Sequence, residues 1–371
     1  MSTLHDPDWV YLRIFPGHCD QSADAPGMLE DSADALLTRC LLPALQQLHA
    51  AGVIDGYFFL RYAEQGYHLR VRCRASLASQ RAYARGVLLA ALDTHLQAAA
   101  ASFPGARDSA ALIADGRLRD SDYAPELDKY AGREGLDVVE AHFRHCSNLA
   151  AEAIALADQG LKRDHLSLWM TGQVLHALGF EGDAAVGLLA GYAQYWMPAG
   201  GGDPGQTLQA LEDAYLGRLR LVAALLPDTD GDSQYARTYP QVQQRLGGIG
   251  ALFAGTVARL CRLEEAGALH SSALPQLRGR TIGVDRCRRH PLTCLLIVPN
   301  LLHMMNNRIA VNVMTEARLA FFAARHYAGA PSAAWSVLPV MLEPTVSLSL
   351  HPSAGGHPRP RVDHAARSQE S

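Results

Sequence analysis

Paired cysteines are missing from this sequence. Its seven cysteines, at positions 19, 40, 73, 146, 261, 287 and 294, are odd in number and contain no CxxC pair, so nothing resembles a CxxC…CxxC zinc site. They read as free thiols of a reducing cytoplasm. An excess of basic residues is missing too. Against 33 lysines and arginines stand 37 aspartates and glutamates, a net charge of −4, so a surface built to hold a nucleic-acid backbone is not expected. Residues 1–8 have neither the basic start nor the apolar core of a signal peptide. The longest apolar stretch, Leu292 to Leu302, is broken by Thr293, Pro299 and Asn300 and stops well short of the ~20 residues of a spanning helix. No GxxxxGK[ST] loop, GxGxxG after a strand, GxSxG elbow or HExxH helix occurs, which removes the common signals of nucleotide hydrolysis, dehydrogenation and zinc hydrolysis. What is present is a chain of 371 residues, 49% apolar and 19% charged, enough to fold around a sizeable core. Its expected setting is cytoplasmic, with no metal, no cofactor and no membrane.

Trp9 to Phe15 has the β-branched and aromatic content of a strand and runs into a turn-rich segment from Pro16 to Gly27. Leu29, Ala33, Leu36, Leu37, Leu41, Leu45 and Leu48 then recur at intervals of three and four, which predicts a helix ending at Ala51-Gly52. Two extended runs, Gly56 to Tyr62 and Tyr67 to Arg74, flank Ala63 to Gly66 as a hairpin, and an alanine-rich helix follows over 77–100. From Glu134 the period is helical, near 138–156, 165–178, 184–196, 207–225 and 241–265. The expected fold class is therefore α+β, a small mixed or antiparallel amino-terminal sheet with a large helical layer. Residues 1–350 are expected to form one catalytic domain. Residues 351–371, without periodicity, are expected to be a disordered tail.

Three segments carry possible chemistry. In Tyr67 to Arg74, strand alternation puts His68, Arg70, Arg72 and Arg74 on one face, about 6.6 Å from one to the next. Guanidiniums so placed repel and cannot lose their charge, so they persist only when solvated or neutralised by anions. A solvated outer face is the plainer alternative; two carboxylates held by separate arginines is the sharper one. In Leu301 to Arg308, one helical turn sets Asn306 and Asn307 beside His303, whose side-chain type suits proton transfer at neutral pH but is as often a satisfied core residue. In Tyr123 to Gly132, Glu126 and Lys129 stand three apart, able to pair on one turn.

In this order, Trp9-Val10-Tyr11-Leu12-Arg13, and Tyr57-Phe58-Phe59-Leu60-Arg61-Tyr62 leading into His68-Leu69-Arg70-Val71-Arg72, resemble the thiopeptide-type bacteriocin biosynthesis family, the C-terminal domain of lantibiotic dehydratases. Tyr123 to Gly132 looks like that family's YxPExxRYGG segment, and Leu302 to Ile309 like its HMxxNR segment, so the resemblance covers most of residues 9–328. It implies a lyase acting on a ribosomally made precursor peptide. A separate glutamylating enzyme joins glutamate from glutamyl-tRNA to serine or threonine, and this domain removes it by β-elimination to leave dehydroalanine or dehydrobutyrine.

By motif, Arg70 and Arg72 would recognise glutamate and stabilise the leaving group, and His303 would move the proton. Glu126, Lys129, His68, Arg61 and Asn307 make up the expected substrate-binding set, with no metal ligand. Lys129 stands where the family's elimination enzymes usually have arginine, and lysine lacks the fork that grips a carboxylate at two points. The same fold serves thiopeptide pyridine synthases, which join two dehydroalanines by a formal [4+2] cycloaddition with release of the leader peptide; these tend to lose the elimination set. A third alternative is a noncatalytic member that holds a peptide by strand addition. His303 is expected across one cleft from Arg70 and Arg72. The partners implied are the precursor peptide and the glutamylating enzyme, with no direct contact to nucleic acid; self-association as a homodimer is open to the protein and leaves no mark in the sequence.

Overall fold

The structure is a computed structural model that describes residues 8–17, 26–98, 106–197, 204–227, 230–278 and 285–328. The tail expected over 351–371 lies outside the described residues. Four antiparallel strands form one sheet in the order β2-β3-β1-β4: β1 (Trp9–Ile14), β2 (Ile54–Tyr62), β3 (His68–Ala75) and β4 (Leu118–Asp120). The β2–β3 hairpin turns where expected, with Gln65 and Gly66 both in the left-handed region and Gly66 N–H donating to the Ala63 carbonyl. The short β4 has no signal of its own in the sequence and is recruited by pairing with β1.

Between β1 and β2 lie α1 (Pro26–Leu36) and α2 (Leu42–Ala50), joined by the π-helical turn Leu37–Leu41. The sequence predicts one helix here, and the wider turn has a cause: Pro43, on the second residue of α2, has no N–H and would clash with the carbonyl four residues back. The device is used twice. A second π-helical turn, Leu292–Ile297, precedes Pro299. The other helices are α3 (Arg81–Ala98), α4 (Ser109–Ala114), α5 (Arg133–Asp158), α6 (Arg163–Ala177), α7 (Gly182–Trp196), α8 (Pro204–Leu216), α9 (Leu219–Leu225), α10 (Gln234–Thr238), α11 (Pro240–Leu246), α12 (Ile249–Glu265), α13 (Leu274–Arg278), α14 (Asp285–Arg289), α15 (Val298–Arg308) and α16 (Val313–Ala328). Two expected helices are split by glycine, at Gly217 and at Gly247-Gly248. The segment Pro240–Glu265 is long and apolar enough by composition to cross a membrane, but its apolar side packs on α5 and α6.

One sheet face, with Val10, Leu12, Ile14, Leu69, Val71 and Cys73, is apolar and buried. The edge strand β2 is not left open. Arg144 of α5 donates to the Asp55 carbonyl, Ser147 of α5 accepts from Phe59 N–H, and the Asn307 amide of α15 both accepts from Arg61 N–H (2.9 Å) and donates to its carbonyl (2.7 Å). Strand addition along this edge is therefore closed off. Arg61 reaches further, to the Arg308 carbonyl, to Tyr67 Oη and to Asp34. Asp34, 3% exposed, is gripped from its other oxygen by Arg163, which also donates to the Ile309 carbonyl. Arg61 and Asn307, expected at the substrate, thus fasten the sheet edge to α1, α6 and α15.

Candidate active site

The face of β3 that carries His68, Arg70 and Arg72 is covered rather than solvated. Arg70 and Arg72 are only 9% and 8% exposed, so the plain reading of an outer strand face is excluded. Aromatic rings take the place of water. The Arg70 guanidinium lies 3.3 Å from the Tyr62 ring centroid, and that of Arg72 lies 4.5 Å from Tyr11, 4.8 Å from Tyr123 and 5.5 Å from Phe58. Cross-strand register explains this: Tyr11 and Phe58 flank Arg72, and Leu60 and Arg13 flank Arg70.

His68 positions Arg70. The ring sits between Phe15 (4.6 Å) and Tyr62 (5.9 Å), its Nδ1 faces the Gly66 carbonyl at 2.9 Å, and its Nε2 accepts from Arg70 Nε at 3.1 Å. Burial, reinforced by the neighbouring Arg70, Arg13 and Arg119, pushes its pKa down to about 4. The imidazole is therefore neutral, with the proton on Nδ1, the only tautomer that serves both contacts. Burial likewise draws the Arg70 guanidinium below its ordinary value, with Arg72 and Arg13 adding to the effect.

Lys129 joins this cluster from the loop before α5. The loop is pinned at several points: Gly132 N–H donates to the Leu127 carbonyl, the Asp128 carboxylate takes both N–H and Oγ of Ser272, and His270 N–H donates to the Ala131 carbonyl. Gly135 is required beneath it, because a Cβ there would meet the Tyr130 carbonyl at 1.9 Å. Ala131 occupies the left-handed region at φ 59°, where the family pattern has glycine. Lys129 Nζ lies 3.5 Å from Glu126. Burial alone would lower its pKa, yet Tyr130, Glu126 and Tyr62 hold it above the ordinary value. Tyr62, under the Arg70 guanidinium, favours the charged form of Arg70, Arg72 and Lys129 alike.

Counter-ions are scarce. Arg70 has only the half-exposed Glu64, at 3.7 Å, and no carboxylate pairs with Arg72 among the described residues. The Nε atoms of Arg72 and Arg13 are buried without a hydrogen-bond partner. A cleft of about 260 Å³ opens at the Arg74 end of the same face, with Trp9, Phe58, Arg74 and Glu140 among its walls. Glu140 accepts from Tyr123 Oη there at 2.6 Å.

His303 is held by a different set of elements. On α15, its Nδ1 is 3.0 and 3.2 Å from the two oxygens of Glu316 of α16, which is fully buried and also accepts from Tyr192 Oη of α7. Trp196 covers the ring at 4.6 Å. Because a carboxylate only accepts, Nδ1 carries the proton and Nε2 is left as the basic nitrogen. His303 shares no bonding partner with Arg70 or Arg72. The link between them is the β2 edge: one turn beyond His303, Asn307 holds Arg61, and the next residue, Tyr62, holds Arg70. Glu316 and Tyr192 were not anticipated from sequence, although a lone glutamate among the apolar residues of 313–324 was a usable signal.

The model of the lantibiotic biosynthesis dehydratase C-terminal family matches residues 9–327. The chain belongs to that family. This places it in a family of lantibiotic biosynthesis. No curated protein matches the sequence. Among solved structures it is similar to MibB, a tRNA-dependent lantibiotic dehydratase from Microbispora sp. 107891 (19% identity, 86% of this chain, 28% of that one, TM-score 0.51). It is similar also to TsrL (14%, 91% and 99%, 0.60) and to TbtD, a pyridine synthase from thiomuracin biosynthesis (16%, 90% and 99%, 0.52). The family member thus spans little more than a quarter of the MibB chain. At these identities the likeness establishes a shared fold.

Proposed function

We propose that this family member eliminates glutamate from glutamylated serine or threonine of a precursor peptide. The observation that carries the reading is the cluster of Arg70, Arg72 and Lys129, buried among tyrosines with too few carboxylates to balance it. Such a site is stable when an anionic ligand completes it, and a glutamyl ester brings one free carboxylate and releases a second. In the reaction His303 Nε2 takes the α-proton, its electron pair forms the Cα–Cβ double bond, and the Cβ–O bond breaks to free the glutamate carboxylate. Arg70 and Arg72 stabilise the charge that develops on that oxygen, and Glu316 stabilises the imidazolium.

A second reading, pyridine synthesis by formal cycloaddition, is favoured by two observations. Lys129 replaces the fork-bearing arginine, and the match to TbtD, a pyridine synthase, extends over 99% of that chain. Mass spectrometry on two substrates separates the readings. Loss of glutamate from a glutamylated peptide, dependent on Arg70 and His303, is the expected result. Ring formation with leader release from a dehydroalanine-containing azole peptide, without action on the first substrate, would overturn it.

A further inference from the structure

Glu140 of α5 takes no part in the elimination described above, yet a single tyrosine joins it to Arg72. The Tyr123 ring centroid lies 4.8 Å from the Arg72 guanidinium, and its hydroxyl donates to Glu140 Oε1 at 2.6 Å. The rings around them are shared with the cleft. Trp9 packs on Tyr123 at 4.6 Å, and Phe58, 5.5 Å from the Arg72 guanidinium, forms a wall of the cleft with Trp9 and Glu140. The cleft therefore leads past Glu140 to the aromatic shell of Arg72. Among the described residues no cation pairs with Glu140: Arg74 stands 3.8 Å from Asp55 instead, and Arg144 donates to His49 and His145. Burial raises the Glu140 pKa and Asp137, one turn earlier, adds to this, while Tyr123 and Arg74 act against it. At the other end of the tyrosine, Arg72 is only 8% exposed and its Nε is buried without a hydrogen-bond partner. An unpaired carboxylate and an unsatisfied guanidinium one ring apart suit a ligand that carries both charges.

We propose that Glu140 holds the ammonium group of the glutamyl ester and so selects an aminoacyl substrate over a plain acyl one. The proposal rests on the reading of this site as one that eliminates glutamate. A glutamate taken from glutamyl-tRNA is joined through its α-carboxyl, so its α-amine stays free and carries a proton near neutral pH. That amine sits on the carbon next to the ester carbonyl, roughly 3 Å from the oxygen that departs, by ordinary bond lengths. With Arg72 on the departing oxygen, the ammonium falls on the Tyr123 side of the guanidinium, where Glu140 is the carboxylate at hand. The far carboxylate, roughly 6 Å from the amine, is left for Arg70 and Lys129. Reversing the group would set its ammonium against those two cations, so the charges fix one orientation. In the half-buried cleft a carboxylate–ammonium contact is screened less than at an open surface.

The test uses the full chain at pH 7 and three fluorescein-labelled nonapeptides whose central residue is 2,3-diaminopropionate, acylated with glutamate through its α-carboxyl, with glutarate or with acetate. The amide resists elimination, so fluorescence anisotropy reads binding without turnover. Glutarate keeps the far carboxylate and lacks only the amine. The wild type should bind the glutamyl peptide about tenfold tighter than the glutaryl one, the scale of one charge-assisted hydrogen bond. Glu140→Gln, which can still accept from Tyr123, should abolish that preference, and Glu140→Asp should keep part of it. Asp137→Asn, an equal charge change on an exposed neighbour one turn away, should keep nearly all of it. Equal binding of the glutamyl and glutaryl peptides, both above the acetyl one, would overturn the proposal and leave the glutamate reading standing. If neither exceeds the acetyl peptide, the glutamate reading fails and the proposal with it. A preference that survives Glu140→Gln, or falls as far in Asp137→Asn, would overturn the proposal as well.

Discussion

Replacing His68 with glutamine tests the claim that a neutral, buried imidazole holds Arg70 in place. A histidine whose folded pKa is pushed from 6.5 down to about 4 is neutral in both states above pH 6.5. Between pH 6.5 and 4 the unfolded chain takes up a proton that the folded one refuses, so stability falls as pH falls through that window, and below about 4 the loss stops. At about 1.4 kcal/mol per tenfold change the whole displacement amounts to about 3 kcal/mol, and screening by the polar groups around the ring reduces this to about 2 kcal/mol. Glutamine offers Oε1 to Arg70 Nε but does not titrate. Urea unfolding from pH 7.5 to 4 should therefore show a shallower acid loss in His68→Gln than in the wild type. Some slope remains, because His142, fully buried against Phe253 and bonded to Thr256, is pushed down to about 3. Parallel profiles of the two proteins would refute the reasoning. His68→Ala, which removes the acceptor, should lose the contribution of a hydrogen bond to a charged group, about 1.5–3 kcal/mol, and with it most glutamate release if Arg70 holds the substrate.

His303→Ala should slow glutamate release by about 10²-fold or more in single-turnover assays, and Glu316→Gln by about tenfold or more, since the amide accepts a hydrogen bond but cannot balance an imidazolium. Unchanged turnover of Glu316→Gln would remove that pair from the mechanism. Lys129→Arg should preserve or raise elimination and Lys129→Met impair it, measured at limiting enzyme; equal rates for both would point to a substrate without a glutamyl carboxylate. Asp34→Asn leaves the buried Arg61 guanidinium without its counter-ion and should cost about 3–5 kcal/mol in urea unfolding, with a matching loss of β2-edge protection in hydrogen exchange.

The alternating period of residues 67–74 made the hairpin and its arginine face legible, and the three-and-four period made most helices so, because both record which side of an element is buried. The breaks were less visible. Pro43 and Pro299 lie inside periodic helical runs, and the π-turns that accommodate them leave the apolar pattern intact. Arg61 and Asn307 illustrate a different limit: their motif positions marked them as important, but whether an arginine touches a substrate or a neighbouring carbonyl depends on α15 crossing the β2 edge, a contact between residues 246 apart. Glu316 was missed for the same reason, since its partner His303 lies on another helix.

The side chains that seal β2 have a consequence for the substrates this protein can take. A peptide held along a strand edge must offer its own amide hydrogens in register, so every residue without one weakens the grip. With that edge occupied by Arg144, Ser147 and Asn307, recognition at β2 falls to charges and rings, which read side chains and leave the main chain unread there. Backbones whose amides have been methylated, or folded into five-membered heterocycles, would then lose nothing at this edge.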